Sequence, residues 1–190
     1  MFELISSLDT IVQTFAEELH APLLTAFFRI ITEAGNLVTV SFITTVVVSY
    51  FLLRRRTEVA VALLGAFVGA TITVALLKFG INRARPDALG ALMVEHFSSF
   101  PSLHAALAVS VYGVLAHIGR GRLRTDAGVF TLNAFFFVLV LLIGVSRVYL
   151  GVHYFSDVLG GYFVGLAWYL TATHYLTNRA PRWTHKREMV

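Results

Sequence analysis

Residues 127–146 read AGVFTLNAFFFVLVLLIGVS and contain no Asp, Glu, Lys or Arg. As a helix this segment would be about 30 Å long, which is the thickness of the hydrocarbon core of a bilayer. It lacks the polar–apolar alternation of a barrel strand, and a helix satisfies its own backbone hydrogen bonds in lipid. The segment is therefore predicted to be a membrane-spanning helix.

Four other apolar stretches are free of these charged residues and are long enough, or nearly so, to cross a bilayer: 36–53, 59–77, 103–119 and 158–178. Over the whole chain 57% of residues are hydrophobic and 14% are charged. Soluble domains carry about 25% charged residues, so an ordinary soluble domain is excluded. The absence of cysteine excludes disulfides and thiolate chemistry. The sequence predicts an all-α, polytopic transmembrane bundle of five spans in one domain, 36–178.

The basic residues of the loops predict how this bundle lies in the membrane. An up-down path through five spans puts ten of them on one side: Arg54, Arg55, Arg56, Arg120, Arg122, Arg124, Arg179, Arg182, Lys186 and Arg187. The positive-inside rule makes that side cytoplasmic, and 179–190 a basic cytoplasmic tail. These short runs explain the isoelectric point of 9.7, so nucleic-acid binding is not predicted.

Residues 1–35 are predicted to form two amphipathic helices at the outer membrane interface. Apolar residues recur at helical spacing with acidic residues opposite, and Pro22 separates a first helix from a shorter second one. A signal peptide is not expected, because no basic region precedes an apolar core. The alternative, a sixth span, would bury Glu17, Glu18 or Arg29 in lipid.

Three polar clusters lie at the outer ends of the predicted spans: Lys78-Phe-Gly-Ile-Asn-Arg-Ala-Arg85-Pro86, Pro101-Ser102-Leu103-His104 and Ser146-Arg147-Val-Tyr-Leu-Gly-Val-His153-Tyr-Phe-Ser-Asp157. Charged groups at membrane depth are costly and mark functional sites. Lys78 and Arg85 would share a helix face if the helix continues that far, and His153 and Asp157 are one turn apart. Because guanidinium forks bind phosphate bidentately and Lys adds a point charge, the clusters together suit a phosphate ester. Arg83 and His96 have no comparable pairing, so only structural roles are predicted for them.

The ordered motifs K-x6-R-P, P-S-x-H and S-R-x5-H-x3-D resemble the three-part signature of the type 2 phosphatidic acid phosphatase (PAP2) superfamily. The resemblance covers about residues 36–176. It implies that His153 attacks phosphorus to form a phosphohistidine, Asp157 orients it, and His104 is the general acid and base. It also implies that Lys78, Arg85, Ser102 and Arg147 bind the phosphate, without a metal or another cofactor.

Leu103 departs from the family pattern, which usually has Gly there, and Leu resists a left-handed turn that Gly would accept. The P-S-L-H form is similar to that of relatives that move a head group between lipids. A lipid head-group phosphotransferase is therefore an alternative to a phosphohydrolase, and a non-catalytic membrane channel or scaffold is a second. A soluble haloperoxidase-like relative is excluded by the five spans.

An active site at the outer interface predicts an amphiphilic substrate with its phosphate at head-group level. The candidates are undecaprenyl diphosphate, phosphatidylglycerol phosphate and phosphatidic acid, and the resemblance to compact bacterial members favours the first. The expected location is the inner (cytoplasmic) membrane, with the site facing the periplasm or the exterior. The expected partners are the lipid phosphate and membrane lipids, and the oligomeric state is left open.

Overall fold

The computed structural model describes residues 2–86, 91–93, 95 and 97–179. The helices along this part of the chain are α1 (Phe2–Glu18), α2 (Pro22–Glu33), α3 (Leu37–Leu53), α4 (Thr57–Ile81), α5 (Leu103–Leu107), α6 (Gly113–Arg120), α7 (Asp126–Tyr149) and α8 (Phe155–Arg179). A π-helical turn, Ala108–Tyr112, joins α5 to α6 into one helix. The described residues contain no strand, which confirms the all-α prediction. His96 and the predicted tail beyond Arg179 lie outside the described residues.

Local sequence decides where the first helices begin. Pro22 is the first residue of α2, where the missing N–H of proline costs nothing, and it separates α1 from α2 as predicted. Asn36 caps α3, because its side-chain oxygen accepts a hydrogen bond from the Val38 N–H at 2.9 Å. The bend between α2 and α3 therefore falls at a capped helix start.

The end of α4 corrects one expectation. This helix has 25 residues, which corresponds to about 37 Å. It stops at Ile81 because Asn82 adopts the left-handed conformation, with φ 45°. Arg85 therefore lies beyond the helix, so the condition under which it would share a helix face with Lys78 is not met.

Among the described residues, three helices are long and apolar enough to cross a membrane: α4, the continuous helix Leu103–Arg120, and α7. A fourth candidate is α2 together with α3, which meet at an angle of 42°. α8 also has 25 residues but is less apolar than α4. It packs against α4, α5 and the π-helical turn, so part of its surface faces protein instead of lipid. Helices thus occupy all five predicted positions, and three or four candidates have the length and composition of a span.

Glycines allow α8 to pack closely on α5. A Cβ atom at Gly161 would collide with the carbonyl oxygen of Ser102, and one at Gly165 with the carbonyl oxygen of Ala106. Small residues permit this kind of backbone approach between membrane helices. The approach lets the Ser102 N–H donate a hydrogen bond to the Asp157 carbonyl at 3.0 Å, which joins the start of α5 to the first turn of α8.

α1 has two faces with different roles. Val12 and Ala16 pack against Val148 of α7 and Val158 of α8. Large apolar side chains remain exposed on the rest of the helix: Leu4, Ile5, Leu8, Ile11 and Phe15. A helix is therefore present where one was predicted, and the face with Val12 and Ala16 attaches it to the bundle. Its position at the membrane interface stays a prediction.

The two described basic loops lie at the same end of the bundle. Arg122, which follows α6, is 5.9 Å from the ring centre of Tyr50 and 5.2 Å from that of Phe51, near the end of α3. Arg54 lies 5.7 Å from the same Tyr50 ring. The connections that follow α4 and α7 lie at the opposite end, and these connections carry the predicted polar clusters.

Candidate active site

Charged side chains from several elements are buried together at the end of the bundle opposite the basic loops. Arg147 and Asp157 are 0% exposed, and His153 is 2% exposed. A charge buried in an apolar bundle is costly unless it is paired and hydrogen-bonded. The partners of these groups therefore define the site.

His153 and Asp157 are neighbours, as predicted, with 3.5 Å between Nδ1 and Oδ2. The expectation that they are paired by one helical turn is wrong, because α8 begins at Phe155 and His153 belongs to the preceding connection. Asp157 lies in the first turn and accepts a hydrogen bond from the Tyr154 N–H at 2.9 Å. The same carboxylate thus caps α8 and faces the imidazole.

The electrostatics of the site favour a neutral His153. Burial, followed by the positive charges of Arg147, Arg85 and Lys78, holds the pKa of the His153 imidazole well below its ordinary value. A neutral imidazole carries its proton on one nitrogen and a lone pair on the other. Nδ1 faces the Asp157 carboxylate without a hydrogen bond among the described residues. A proton on Nδ1, on the side of the carboxylate, would leave the lone pair on Nε2.

Arg83 holds the second oxygen of Asp157, although only a structural role is expected for this residue from the sequence. Arg83 donates hydrogen bonds to Asp157 Oδ1 at 2.7 Å, to the Ser156 hydroxyl at 2.7 Å and to Asp9 Oδ2 at 2.8 Å. Its guanidinium also lies 4.4 Å from the ring centre of Tyr154. The only signal in the sequence was a second arginine within the first motif, since Asp9 is 74 residues away.

The Glu95 carboxylate links two of the predicted phosphate-binding cations. Nη2 of Arg147 donates to Oε1 of Glu95, and Nη2 of Arg85 donates to Oε2 at 3.2 Å. Burial raises the pKa of the Glu95 carboxyl, but Arg147 and Arg85 lower it, and the net pKa lies below its ordinary value. The carboxylate is therefore charged at neutral pH. Because carboxylates and phosphates accept the same guanidinium forks, these two arginines are arranged to hold an oxyanion.

Arg147 also connects α2 to the site. Its Nη1 donates to the hydroxyl of Thr32 at 2.7 Å. Its Nε, like the hydroxyl of the wholly buried Ser102, has no hydrogen-bond partner among the described residues. A buried donor without a partner costs about 1–3 kcal/mol, so such groups commonly serve a ligand. Neither Thr32 nor Glu95 belongs to a motif, so no sequence pattern points to these two residues.

The remaining predicted residues lie at the same end of the bundle. Lys78, in the last turn of α4, donates to the backbone carbonyls of Ser98 and Ser99, the latter at 3.3 Å. His104, in the first turn of α5, is close enough to His153 and Arg147 for their charges to interact. The structure therefore brings together all seven predicted site residues: Lys78, Arg85, Ser102, His104, Arg147, His153 and Asp157.

The model of the PAP2 superfamily matches residues 59–181, which is more than half of the chain. The chain belongs to the PAP2 superfamily. The matched region contains all three motifs and the seven residues named above, so the resemblance of the motifs is confirmed at the level of the family.

Individual PAP2 proteins are similar to this chain in sequence and in fold. A segment of 95 residues is 41% identical to phosphatidylglycerophosphatase B of Bacillus subtilis (strain 168), and it covers 48% of this chain and 45% of that protein. The match thus spans less than half of that relative. The crystal structure of a transmembrane PAP2-type phosphatidylglycerolphosphate phosphatase from Bacillus subtilis superposes with a TM-score of 0.85 at 28% identity, over 93% of this chain and 88% of the other. The crystal structure of Aquifex aeolicus LpxE superposes with a TM-score of 0.71 at 25% identity, over 87% of this chain and 94% of the other.

The position of Glu95 predicts that this carboxylate competes with an incoming oxyanion. Glu95→Gln removes the negative charge between Arg85 and Arg147, so the variant should bind orthovanadate about tenfold more tightly than the wild type. Calorimetric titration of the protein in detergent measures this affinity. Glu58→Gln, at the other end of the bundle beside Arg56, is the matched control and should bind like the wild type. Weaker binding by Glu95→Gln would mean that Glu95 positions the two arginines instead of competing with the anion.

Proposed function

We propose that this PAP2 protein is a membrane-embedded phosphohydrolase that removes phosphate from a lipid phosphate. The observation that carries the proposal is the buried His153, 3.5 Å from Asp157 and close to two guanidinium groups that hold a carboxylate. A nucleophile and an oxyanion-binding pair are thereby placed at one site. The activity named in both Bacillus subtilis matches, the curated sequence and the crystal structure, supports the same reaction class.

The substrate is proposed to be an amphiphile whose phosphate lies at head-group level. The exposed apolar side chains of α1 lie on a helix that contacts the site, as expected where lipid approaches it. The names of the Bacillus subtilis relatives favour phosphatidylglycerol phosphate. Undecaprenyl diphosphate, the substrate favoured by the sequence, and phosphatidic acid are the two other candidates to be tested.

In the first step, Nε2 of His153 attacks phosphorus while the bond between phosphorus and the lipid oxygen breaks. His104, protonated when the phosphate dianion is bound, gives its proton to the leaving oxygen. Asp157 accepts the Nδ1–H of His153 and stabilises the positive charge that develops on the ring. The products of this step are the dephosphorylated lipid and a phosphohistidine.

In the second step, His104 takes a proton from water, and the oxygen of that water attacks the phosphohistidine. The bond between phosphorus and Nε2 breaks, inorganic phosphate leaves, and His153 returns to its neutral form. Lys78, Arg85 and Arg147 are proposed to hold the three equatorial oxygens, with Ser102 assisting. These three cations supply the positive charge that Mg²⁺ provides elsewhere, so we propose that the reaction is independent of metal.

The proposed activity is tested by phosphate release from a panel of lipids in detergent. We expect the protein to release inorganic phosphate from at least one of the three candidate lipids, with full activity in excess EDTA and inhibition by orthovanadate. His153→Ala should give no release and serves as the background. Transfer of phosphate to an alcohol without release would favour the phosphotransferase. An inactive wild type would favour the channel or scaffold, and a strict Mg²⁺ requirement would contradict the role of the three cations.

The two histidines have different proposed roles, and a substrate with a good leaving group separates them. Such a substrate needs little acid catalysis, so His104→Ala should form the phosphohistidine and then stall, because no base activates the water. His153→Ala should form no phosphoenzyme. Rapid quench with ³²P-labelled substrate measures the labelled protein. Asp157→Asn is the control for orientation, and it should keep the fold and lose most of the rate. Equal labelling of both histidine variants, or the reverse pattern, would show that the roles are wrongly assigned.

The finer topology is also a proposal. We infer that the region 36–178 is the catalytic domain and crosses the membrane five times, with residues 1–35 at the outer interface and 179–190 inside. The shared end of the two basic loops supports this orientation, because positive loops favour the cytoplasmic side. The catalytic site would then face the periplasm or the exterior of the inner membrane.

Thiol labelling of whole cells tests this orientation in a chain without native cysteine. Ala21, between α1 and α2, and Arg124, before α7, are exposed at opposite ends of the bundle. An impermeant maleimide should label Ala21→Cys in intact cells and Arg124→Cys only after the cells are lysed. Labelling of Arg124→Cys in intact cells would invert the topology and place the site in the cytoplasm.

A further inference from the structure

Asp9 is an acidic residue of α1 whose side chain is almost completely buried, with 2% exposure. It belongs to none of the three motifs and lies far from them in the sequence. Its Oδ1 accepts a hydrogen bond from the Ser156 N–H at 2.9 Å, and its Oδ2 accepts one from the Ser156 hydroxyl at 2.6 Å. The carboxylate of one helix therefore caps the first turn of another.

This position suits a negative charge for two reasons. The first N–H groups of a helix have no acceptor within the helix, and the Asp9 carboxylate is the acceptor for the N–H of Ser156. The partial positive charge at the start of α8 also attracts a carboxylate. Since α8 begins at Phe155 and carries Asp157 in the same turn, Asp9 binds the turn that holds the partner of His153.

Arg83 makes a second connection between the two carboxylates. Its Nη2 donates to Asp9 and its Nη1 to Asp157, so one rigid guanidinium fixes both acids relative to each other. With Oδ1 of Asp157 held by Arg83 and Oδ2 by the Tyr154 N–H, the carboxylate plane has little freedom to rotate. The orientation of Asp157 toward His153 thus depends on groups that Asp9 anchors.

We propose that Asp9 is a positioning residue of the phosphatase, and that docking of α1 completes the active site by fixing Asp157 through Arg83 and Ser156. This inference rests on the proposed function. Asp9 contacts neither Arg85 nor Arg147 in any hydrogen bond or ion pair found among the described residues, so its role is confined to the His153–Asp157 side of the site. In the proposed topology the exposed apolar face of α1 lies in lipid, so the membrane would help to hold Asp9 in place.

The test is a comparison of Asp9→Asn, Asp9→Glu and Glu3→Gln with the wild type. Asp9→Asn keeps the size of the side chain but removes its charge, so kcat should fall about tenfold, the loss expected for an outer partner of a catalytic group. KM should change less than about twofold, because the phosphate-binding arginines are untouched. Asp9→Glu restores the charge and should recover part of kcat. Glu3→Gln, the same charge change on the exposed side of α1, should leave kcat and KM unchanged.

Thermal unfolding in detergent separates positioning from a general loss of structure. If Asp9→Asn does not fold, Ser156→Ala takes its place, since it removes one Asp9 partner with a smaller change, and a lower kcat with unchanged KM is again expected. An unchanged kcat in the folded variant would overturn the proposal. A fall in kcat that disappears when the rate is normalised to the folded fraction would also overturn it. A wild type without activity on any lipid would refute the proposed function instead, so the two failures are distinct.

Discussion

A guanidinium that is wholly buried in an apolar helix bundle must be paired, and Arg147 imposes this constraint on the end of the bundle that contains the site. Its partners are Glu95, from the connection after α4, and Thr32 of α2. Removing one partner of a buried pair leaves an uncompensated charge, at a cost of about 3–5 kcal/mol. The need to pair one arginine therefore holds the α4–α5 connection and the N-terminal helices against α7, and these elements form the walls of the site.

The buried charges form two sets with different tasks. Arg85 and Arg147 pair with Glu95, and Lys78 is close enough for its charge to interact with the same carboxylate. Three cations and one carboxylate leave two positive charges, which matches a phosphate dianion. In the second set Arg83 lies between Asp9 and Asp157, and its single positive charge faces two carboxylates. The surplus negative charge lies beside His153, where a positive charge develops when the imidazole bonds to phosphorus. Each set thus carries the charge that complements what the proposed reaction brings to it.

The sequence was informative wherever one property of a short segment decided the outcome. Apolar length predicted helices at 59–77 and 127–146, and three ordered motifs predicted residues that the structure brings to one end of the bundle. It was misleading where local conformation decided: Asn82 ends α4 before Arg85, and α8 starts after His153. The sequence did not predict the role of Asp9, because its partner Ser156 is 147 residues away and no local pattern connects the two. An amphipathic pattern reports which side chains avoid water, and it does not show that a lone acid on α1 is buried against another helix.

Leu103, where the family usually has Gly, is the residue that keeps a phosphotransferase as an alternative to a phosphohydrolase. The structure shows that this leucine is not strained. A left-handed turn at this position would have strained a leucine. Leu103 is instead the first residue of α5, and the residues with positive φ in the described chain are Arg55, Asn82 and Gly151. Its side chain packs against the cluster that contains Leu63 and Leu107. Leucine in place of glycine therefore adds apolar packing without backbone strain. Leu103 starts the helix in a conformation that glycine could also adopt. In the proposed mechanism, the choice between water and an alcohol as acceptor then rests on which of them reaches the phosphorylated His153, and not on the backbone of this motif.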